Sequence, residues 1–167
     1  MTGSVPDSWP VAALDPIRRL KVIAAGSRHP TYAERAFDVP VEQLWSVVSD
    51  LETELPLLIP GLRAFTLTEP TADHLSGQAV GVFGYRERFT VVLRPGWCLM
   101  QSTLLTSGMA ATAAGDGSRF AFFSAVRPPG VDMVDRMRAP WSARRSERML
   151  DRLAERVTAR SAPGRAE

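Results

Sequence analysis

One cysteine, two histidines and one lysine are all that the 167 residues contain of three side chains on which much protein chemistry depends. A lone Cys98 excludes an internal disulfide and fits a reducing compartment. His29, His74 and Cys98 stand at no ligand spacing from one another, so no metal centre is expected and no cofactor is implied. A charge surplus is also missing. The 20 basic residues against 18 acidic ones leave +2, too little to argue for a nucleic-acid partner. No apolar run approaches the ~18 residues that span a bilayer. The paired Arg18-Arg19 lead into an apolar stretch from Val22 to Ala25 only. An export signal needs about 7–15 such residues, and a cytoplasmic protein is therefore expected. Gly77, Gly81 and Gly84 do not fall at the spacing of a dinucleotide fingerprint, and no Gly-x-Ser-x-Gly elbow occurs.

What is present is an ordinary globular composition, 45% hydrophobic and 23% charged, long enough for one domain with a substantial core. Residues 1–30 read as an extension, disordered at its start, with a short helix over 15–25 capped by Asp15 and opened by Pro16. The domain proper is expected over 31–162, followed by a disordered tail at 163–167. Tyr32 to Val39 is a candidate strand stopped by Pro40. Val41, Leu44, Trp45 and Val48 share one helical face, and a second short helix runs from Asp50 to Leu58 before the Pro60-Gly61 turn.

Short strands then alternate with turn signals: Leu62–Glu69, Leu75–Phe83, Tyr85–Leu93, Trp97–Thr106, Met109–Ala114 and Arg119–Val126. Ser107-Gly108 is read as one of the turns and Gly115-Asp116-Gly117 as a hairpin. No crossover helix separates these strands, so the sheet should be antiparallel. From Val131 to Ala162 the period becomes helical, interrupted at Pro140. Met149, Leu150, Leu153 and Val157 lie on one arc, which continues into Ser146, Ala143, Ser142 and Ala139. Those small residues leave room for either a cavity or close packing. On the opposite face Arg144, Arg148, Arg152, Arg156 and Arg160 interleave with Glu147, Asp151 and Glu155. A solvated face with i, i+3 ion pairs is expected there.

Phe37-Asp38-Val39-Pro40-Val41-Glu42-Gln43-Leu44-Trp45, continuing through Asp50 to Leu58-Ile59-Pro60-Gly61-Leu62, resembles the opening of the START-like superfamily. That group holds polyketide cyclases, dehydrases and birch-pollen-allergen-type carriers (the SRPBCC group). The resemblance spans Tyr32 to Ala162. It implies an α+β helix-grip fold: a curved seven-stranded antiparallel sheet around a long C-terminal helix, with two short helices after the first strand. It also implies a pocket between sheet and helix. The walls of that pocket would come from Trp45, Phe65, Tyr85, Glu87, Phe89, Phe120, Phe122, Met137, Trp141, Ser142 and Ser146. Trp97 is a further candidate for its mouth.

Chemistry in such a pocket rests on the Tyr85-to-Leu93 strand. In one register Tyr85, Glu87 and Phe89 face inward, placing a carboxylate and a phenol among apolar groups. In the other, Arg86 and Arg88 line the pocket and suit an acidic or carbonyl-bearing ligand. Tyr85, Glu87, Arg86 and Arg88 are therefore the candidate catalytic residues. Cys98 is expected to be a buried, inert thiol. Three functions follow from the resemblance. The first is binding of a small hydrophobic or aromatic molecule, the second a cyclase or dehydratase-like reaction in the same cavity. The third is an interaction module whose cavity has collapsed.

Overall fold

The computed structural model describes residues 14–28, 30–71, 74–127 and 132–161, with side chains for 14–28, 30–68, 75–127 and 144–161. The chain opens with helix α1 (Pro16–Ala25), where the Asp15 carboxylate accepts from the Arg18 amide and Pro16 presets the first turn. Strand β1 (Thr31–Phe37) is followed by helices α2 (Val41–Val48) and α3 (Leu51–Leu58). Asp50 caps α3 by accepting from the Thr53 amide. Six strands come next: β2 (Leu62–Thr71), β3 (His74–Gly81), β4 (Arg86–Arg94), β5 (Trp97–Gln101), β6 (Leu105–Ala114) and β7 (Gly117–Val126). A single turn of 3₁₀ helix, Val82–Gly84, joins β3 to β4. Helix α4 (Asp132–Ser161) ends the described chain.

The seven strands form one sheet in the order β1-β7-β6-β5-β4-β3-β2, and every neighbouring pair is antiparallel. Only the β1–β7 contact is non-sequential, because α2, α3 and β2 to β6 all lie between them in the chain. The sheet wraps α4. Its inner face packs Phe37, Val91, Met109 and Phe120 against Leu44 and Val47 of α2, Leu51 and Leu55 of α3, and Leu150 and Leu153 of α4. Phe37 meets Phe120 edge to face, ring centres 6.4 Å apart. The architecture is the helix-grip α+β fold.

A second, smaller core lies on the outer face, where Ile17, Leu20 and Ala24 of α1 cover Trp97, Ala110, Ala121 and Phe123. Trp97 is therefore no part of a pocket mouth. It is sealed under α1, with the Arg19 guanidinium 4.8 Å from its ring centre. Alternation then turns the next residue, Cys98, into the inner core, fully buried.

Three expectations about the elements need correction. The break in the strand expected from Trp97 to Thr106 falls at Ser102–Leu104, not at Ser107-Gly108. Ser102 Oγ accepts from the Leu105 amide at 2.9 Å and the Leu104 amide at 3.2 Å, building a side-chain-stabilised turn. Gly108 sits inside β6 for a different reason: a Cβ there would lie 2.7 Å from the Phe123 ring and 2.8 Å from Leu20. It is a contact point for α1 and marks no turn. Second, α4 runs unbroken through Pro140.

Third, the arginine-rich face of α4 is not simply solvated. Arg35 of β1 takes two of that face's three acids, reaching Glu147 and Asp151 at 2.7 Å each. Arg156 holds Glu54 of α3 through two bonds of 2.7 and 2.9 Å, and Arg160 reaches Asp50 at 2.5 Å. Among the described residues none of the expected pairs Arg144–Glu147, Arg148–Asp151 and Arg152–Glu155 forms. Partners on β1 and α3 are closer competitors for the same charges. Among the described residues no helix is long and apolar enough to cross a membrane.

Candidate functional site

The grip of the sheet on α4 is incomplete. Between β2–β7, the end of α3 and the Arg145–Met149 turn of α4 lies a cavity of about 370 Å³. Its walls are built by alternation. The inward residues of β2 and β4 supply Phe65, Glu87 and Phe89, β5 supplies Met100, and β7 supplies Phe122. Small residues open the space: Ser107 and Ser124, cross-strand partners on β6 and β7, and Ser146 of α4 leave volume that larger side chains would fill. Pro60, Tyr85 and Arg145 line the cavity while remaining substantially exposed, which locates the mouth. A wider polar groove of about 860 Å³ lies over the opposite face of β2–β5, lined by Gln78, Arg88, Thr90, Gln101 and Arg127. It is a polar trough on the outer face, whereas the inner cavity is lined mainly by apolar groups.

The register of β4 settles which of its faces turns inward. Glu87, 9% exposed, faces the interior with Phe89 and Val91, and Arg86 and Arg88 are exposed on the other side. Arg86 lines neither space, and Arg88 lines the outer groove. The Glu87 carboxylate is held from both sides. Tyr85 donates its phenol to Oε2 at 2.8 Å. Ser102 donates its hydroxyl to Oε1, and the Leu104 amide reaches the same oxygen at 3.3 Å. The displaced β5–β6 turn thus forms a cradle for a carboxylate at the cavity wall. Arg127 braces that turn, donating to the Ser102 carbonyl at 2.8 Å. The Tyr85 phenol is held above its usual pKa by burial and then by its bond to Glu87, so it stays a hydrogen-bond donor at neutral pH.

Of the ligand-wall candidates, Phe65, Tyr85, Glu87, Phe89, Phe122 and Ser146 come together around the cavity. Trp45 and Phe120 do not. Trp45 is half-buried on α2 against the main core, and Phe120 is fully buried under Phe37. Met137, Trp141 and Ser142 lie on the first half of α4, whose side chains fall outside the described residues. The same holds for the side chains of His29 and His74. Sequence reasoning missed Ser102, Ser107 and Ser124. The Ser102-Thr103 pair ahead of Leu104 was the available signal for the first. Nothing in the local sequence distinguishes the other two from surface serines.

Among the described residues no cluster of three potential metal ligands exists. The groups on its wall equip the cavity for two things. It can enclose an apolar body, and it can offer one carboxylate–phenol pair to a ligand's polar end.

Solved structures share this architecture. TTHA0849 from Thermus thermophilus superposes with a TM-score of 0.60 at 18% identity, covering 80% of this chain and 99% of that one. The Zhui aromatase/cyclase from Streptomyces sp. R1128 gives 0.57 at 13% identity, covering 83% and 100%. A norcoclaurine synthase point mutant of Thalictrum flavum, in complex with a transition-state analogue, gives 0.53 at 15% identity, covering 80% and 96%. No protein-family model matches the sequence, and no curated protein matches it either. At these identities the likeness concerns architecture, and on that ground the chain has the helix-grip fold that these structures share.

Proposed function

We propose that the protein binds a small hydrophobic or aromatic molecule in the inner cavity, its polar end oriented by Glu87 and Tyr85. One observation carries this reading: an apolar hollow of about 370 Å³ with a buttressed carboxylate in its wall. That volume is at the lower end of ligand cavities, about 300–1,000 Å³, and suits a compact molecule with few rings. Left empty of any occupant it would cost on the order of 9 kcal/mol at about 24 cal/mol per Å³. Total stabilities run to only about 5–15 kcal/mol. The figure is an upper bound, since the mouth admits water. Water nevertheless fills an apolar hollow poorly, and displacing it favours an apolar guest.

A second reading is a reaction in the same space, supported by the 2.8 Å Tyr85–Glu87 bond. A carboxylate aligned by a phenol can take a proton from a bound hydroxyl or from a carbon beside a carbonyl, and the phenol can return one. Two proteins of this fold noted above are named as a cyclase and a synthase, which agrees with this alternative by analogy only.

Native mass spectrometry of purified protein, followed by identification of molecules released on denaturation, tests the binding reading. Thermal-shift titration with aromatic and fatty compounds complements it. A bound compound at about 100 times its Kd should add about 2.7 kcal/mol of stability. Protein that carries nothing and ignores the whole panel sinks the reading. Glu87→Gln separates the two functions. A carrier keeps its guest within roughly tenfold, whereas an acid–base enzyme loses about 10²–10⁴ in turnover.

A further inference from the structure

At the cavity mouth the β3–β4 connection presents an apolar tip that is exposed among the described residues. Phe83 is 99% exposed, and Val82, Tyr85 and Leu57 of α3 are each between two- and three-fifths exposed. The Phe83 backbone lies in the left-handed region, φ 62° and ψ 18°. A residue with a Cβ pays free energy for that conformation. Gly84 follows at φ 75°, so the tip is bent to hold the ring out, away from the cavity beside it. The Val82 amide bonds to the Gly61 carbonyl at 2.9 Å, fixing the tip against the Pro60-Gly61 turn that also lines the mouth.

Along the strands that flank the tip, the exposed charge among the described residues is basic. Arg63 and Arg86 flank it on β2 and β4, both exposed, and neither has an ion pair among the described residues. Between Gly81 and Arg94 the sole acid is Glu87, which is turned inward and satisfied. Other exposed arginines, such as Arg88 and Arg148, also lack a carboxylate among the described residues, so what marks Arg63 and Arg86 is their place beside the apolar tip.

We propose that the Val82–Tyr85 tip docks the protein on an anionic lipid bilayer. Phe83 enters the interfacial region while Arg63 and Arg86 meet the headgroup phosphates, so the cavity mouth opens against the membrane. Two features select a bilayer over a protein partner. A stable protein interface needs about 800 Å² from each side, and a few tip residues fall well short of that. A bilayer needs only a shallow apolar wedge with cations behind it, and such paired signals give weak, reversible attachment. A ligand entering by this route would be one that partitions into lipid. The docking itself is independent of what the cavity holds.

Co-sedimentation of the full chain with extruded vesicles is the test, comparing phosphatidylglycerol/phosphatidylcholine mixtures with phosphatidylcholine alone. Binding should appear on the anionic vesicles at about 30 mM salt and fall several-fold at about 300 mM. Phe83→Asn keeps the left-handed backbone but removes the apolar ring, and should weaken partition about tenfold or more. Arg63→Gln with Arg86→Gln should weaken it about tenfold on anionic vesicles only. Because Phe83 is almost fully exposed among the described residues, its substitution leaves folding intact. No binding to either vesicle, or equal binding by Phe83→Asn, overturns the proposal. Concentration-dependent self-association that Phe83→Asn abolishes, with no vesicle binding, would assign the tip to a second copy of the chain and overturn it too. The thermal shift of a cavity ligand, measured on Phe83→Asn without lipid, should match wild type. Its loss would make Phe83 a lid, also overturning the membrane assignment while leaving the cavity reading standing.

Discussion

At the residue scale the clearest contrast is between two buried groups on the neighbouring strands β4 and β5. Glu87 accepts from three donors, Tyr85, Ser102 and the Leu104 amide, and keeps acceptor capacity on Oε2 for a guest. Cys98 sits in the main core with none, and burial pushes its thiol up to about 12. One polar group is prepared for use and the other is filler. Thiolate is the reactive form, and at pH 8 a group titrating near 12 holds on the order of one part in 10⁴ of it. Native protein should therefore resist a thiol reagent over the time in which denatured protein reacts with one equivalent. Rapid stoichiometric labelling of the folded chain would contradict the buried placement. Cys98 was legible from its position in an alternating strand, because burial of a lone cysteine follows from pattern alone. Glu87 was legible only as one of two registers. The choice between them depended on the partner strands: pairing with β3 puts Glu87 opposite Ala79 and Phe89 opposite Gly77, both inward. Its cradle was not legible, since Ser102 comes from a strand end 15 residues away.

At the element scale, charge was misread where hydrophobic period was read correctly. The arc Met149, Leu150, Leu153 and Val157 follows from helical geometry, and all four are buried. The Arg156 and Arg160 side chains lie beside that arc, and tertiary neighbours decide their partners. Glu54 is 0% exposed, and the Arg156 guanidinium bonded to it holds its carboxyl below the usual carboxylate range. Arg160 does the same for Asp50 at the start of α3. Both acids bind protons more weakly folded than unfolded. Their contribution to stability is therefore complete above their ordinary values of 4.5 and 3.8 and is lost as pH falls through the lowered ones. The melting temperature should drop on acidification from about pH 5 toward pH 3. Glu54→Gln should flatten that slope and cost about 2 kcal/mol near neutrality, a buried-pair loss reduced because Arg156 is partly exposed. Equal acid sensitivity in wild type and variant would show that α3 and α4 are clamped by their apolar contacts alone. The same clamp explains why the long helix does not settle deeper into the sheet. Its C-terminal half is fixed to α3 by Glu54 and Asp50, and Arg35 fixes its middle to β1.

At the scale of the whole molecule, the fold divides its sheet between two tasks. Over β5–β7 the outer face is covered by α1, which seats Leu20 over Gly108 so tightly that a methyl group would not fit. The inner face is closed at the α2, α3 and α4 end by large side chains and left open where Ser107, Ser124 and Ser146 meet. Stability and ligand space therefore draw on the same volume, and the two should trade against each other. Ser107→Val tests this directly. Valine suits a strand, puts two methyl groups where serine has one hydroxyl, and leaves Glu87 and its cradle untouched. If the space is functional rather than structural, filling it should raise the melting temperature of ligand-free protein, with a gain of about 1–2 kcal/mol from the added apolar burial. The same substitution should reduce the ligand-induced thermal shift, because the guest now competes with a side chain for one site. A variant that is destabilised as well as blind to ligand would mean that the hollow was already filled by neighbouring groups. A variant that gains stability yet binds as before would place the ligand elsewhere on the molecule. Only the paired outcome, more stable and less receptive, fits a sheet that holds its helix slightly off to keep a chamber open.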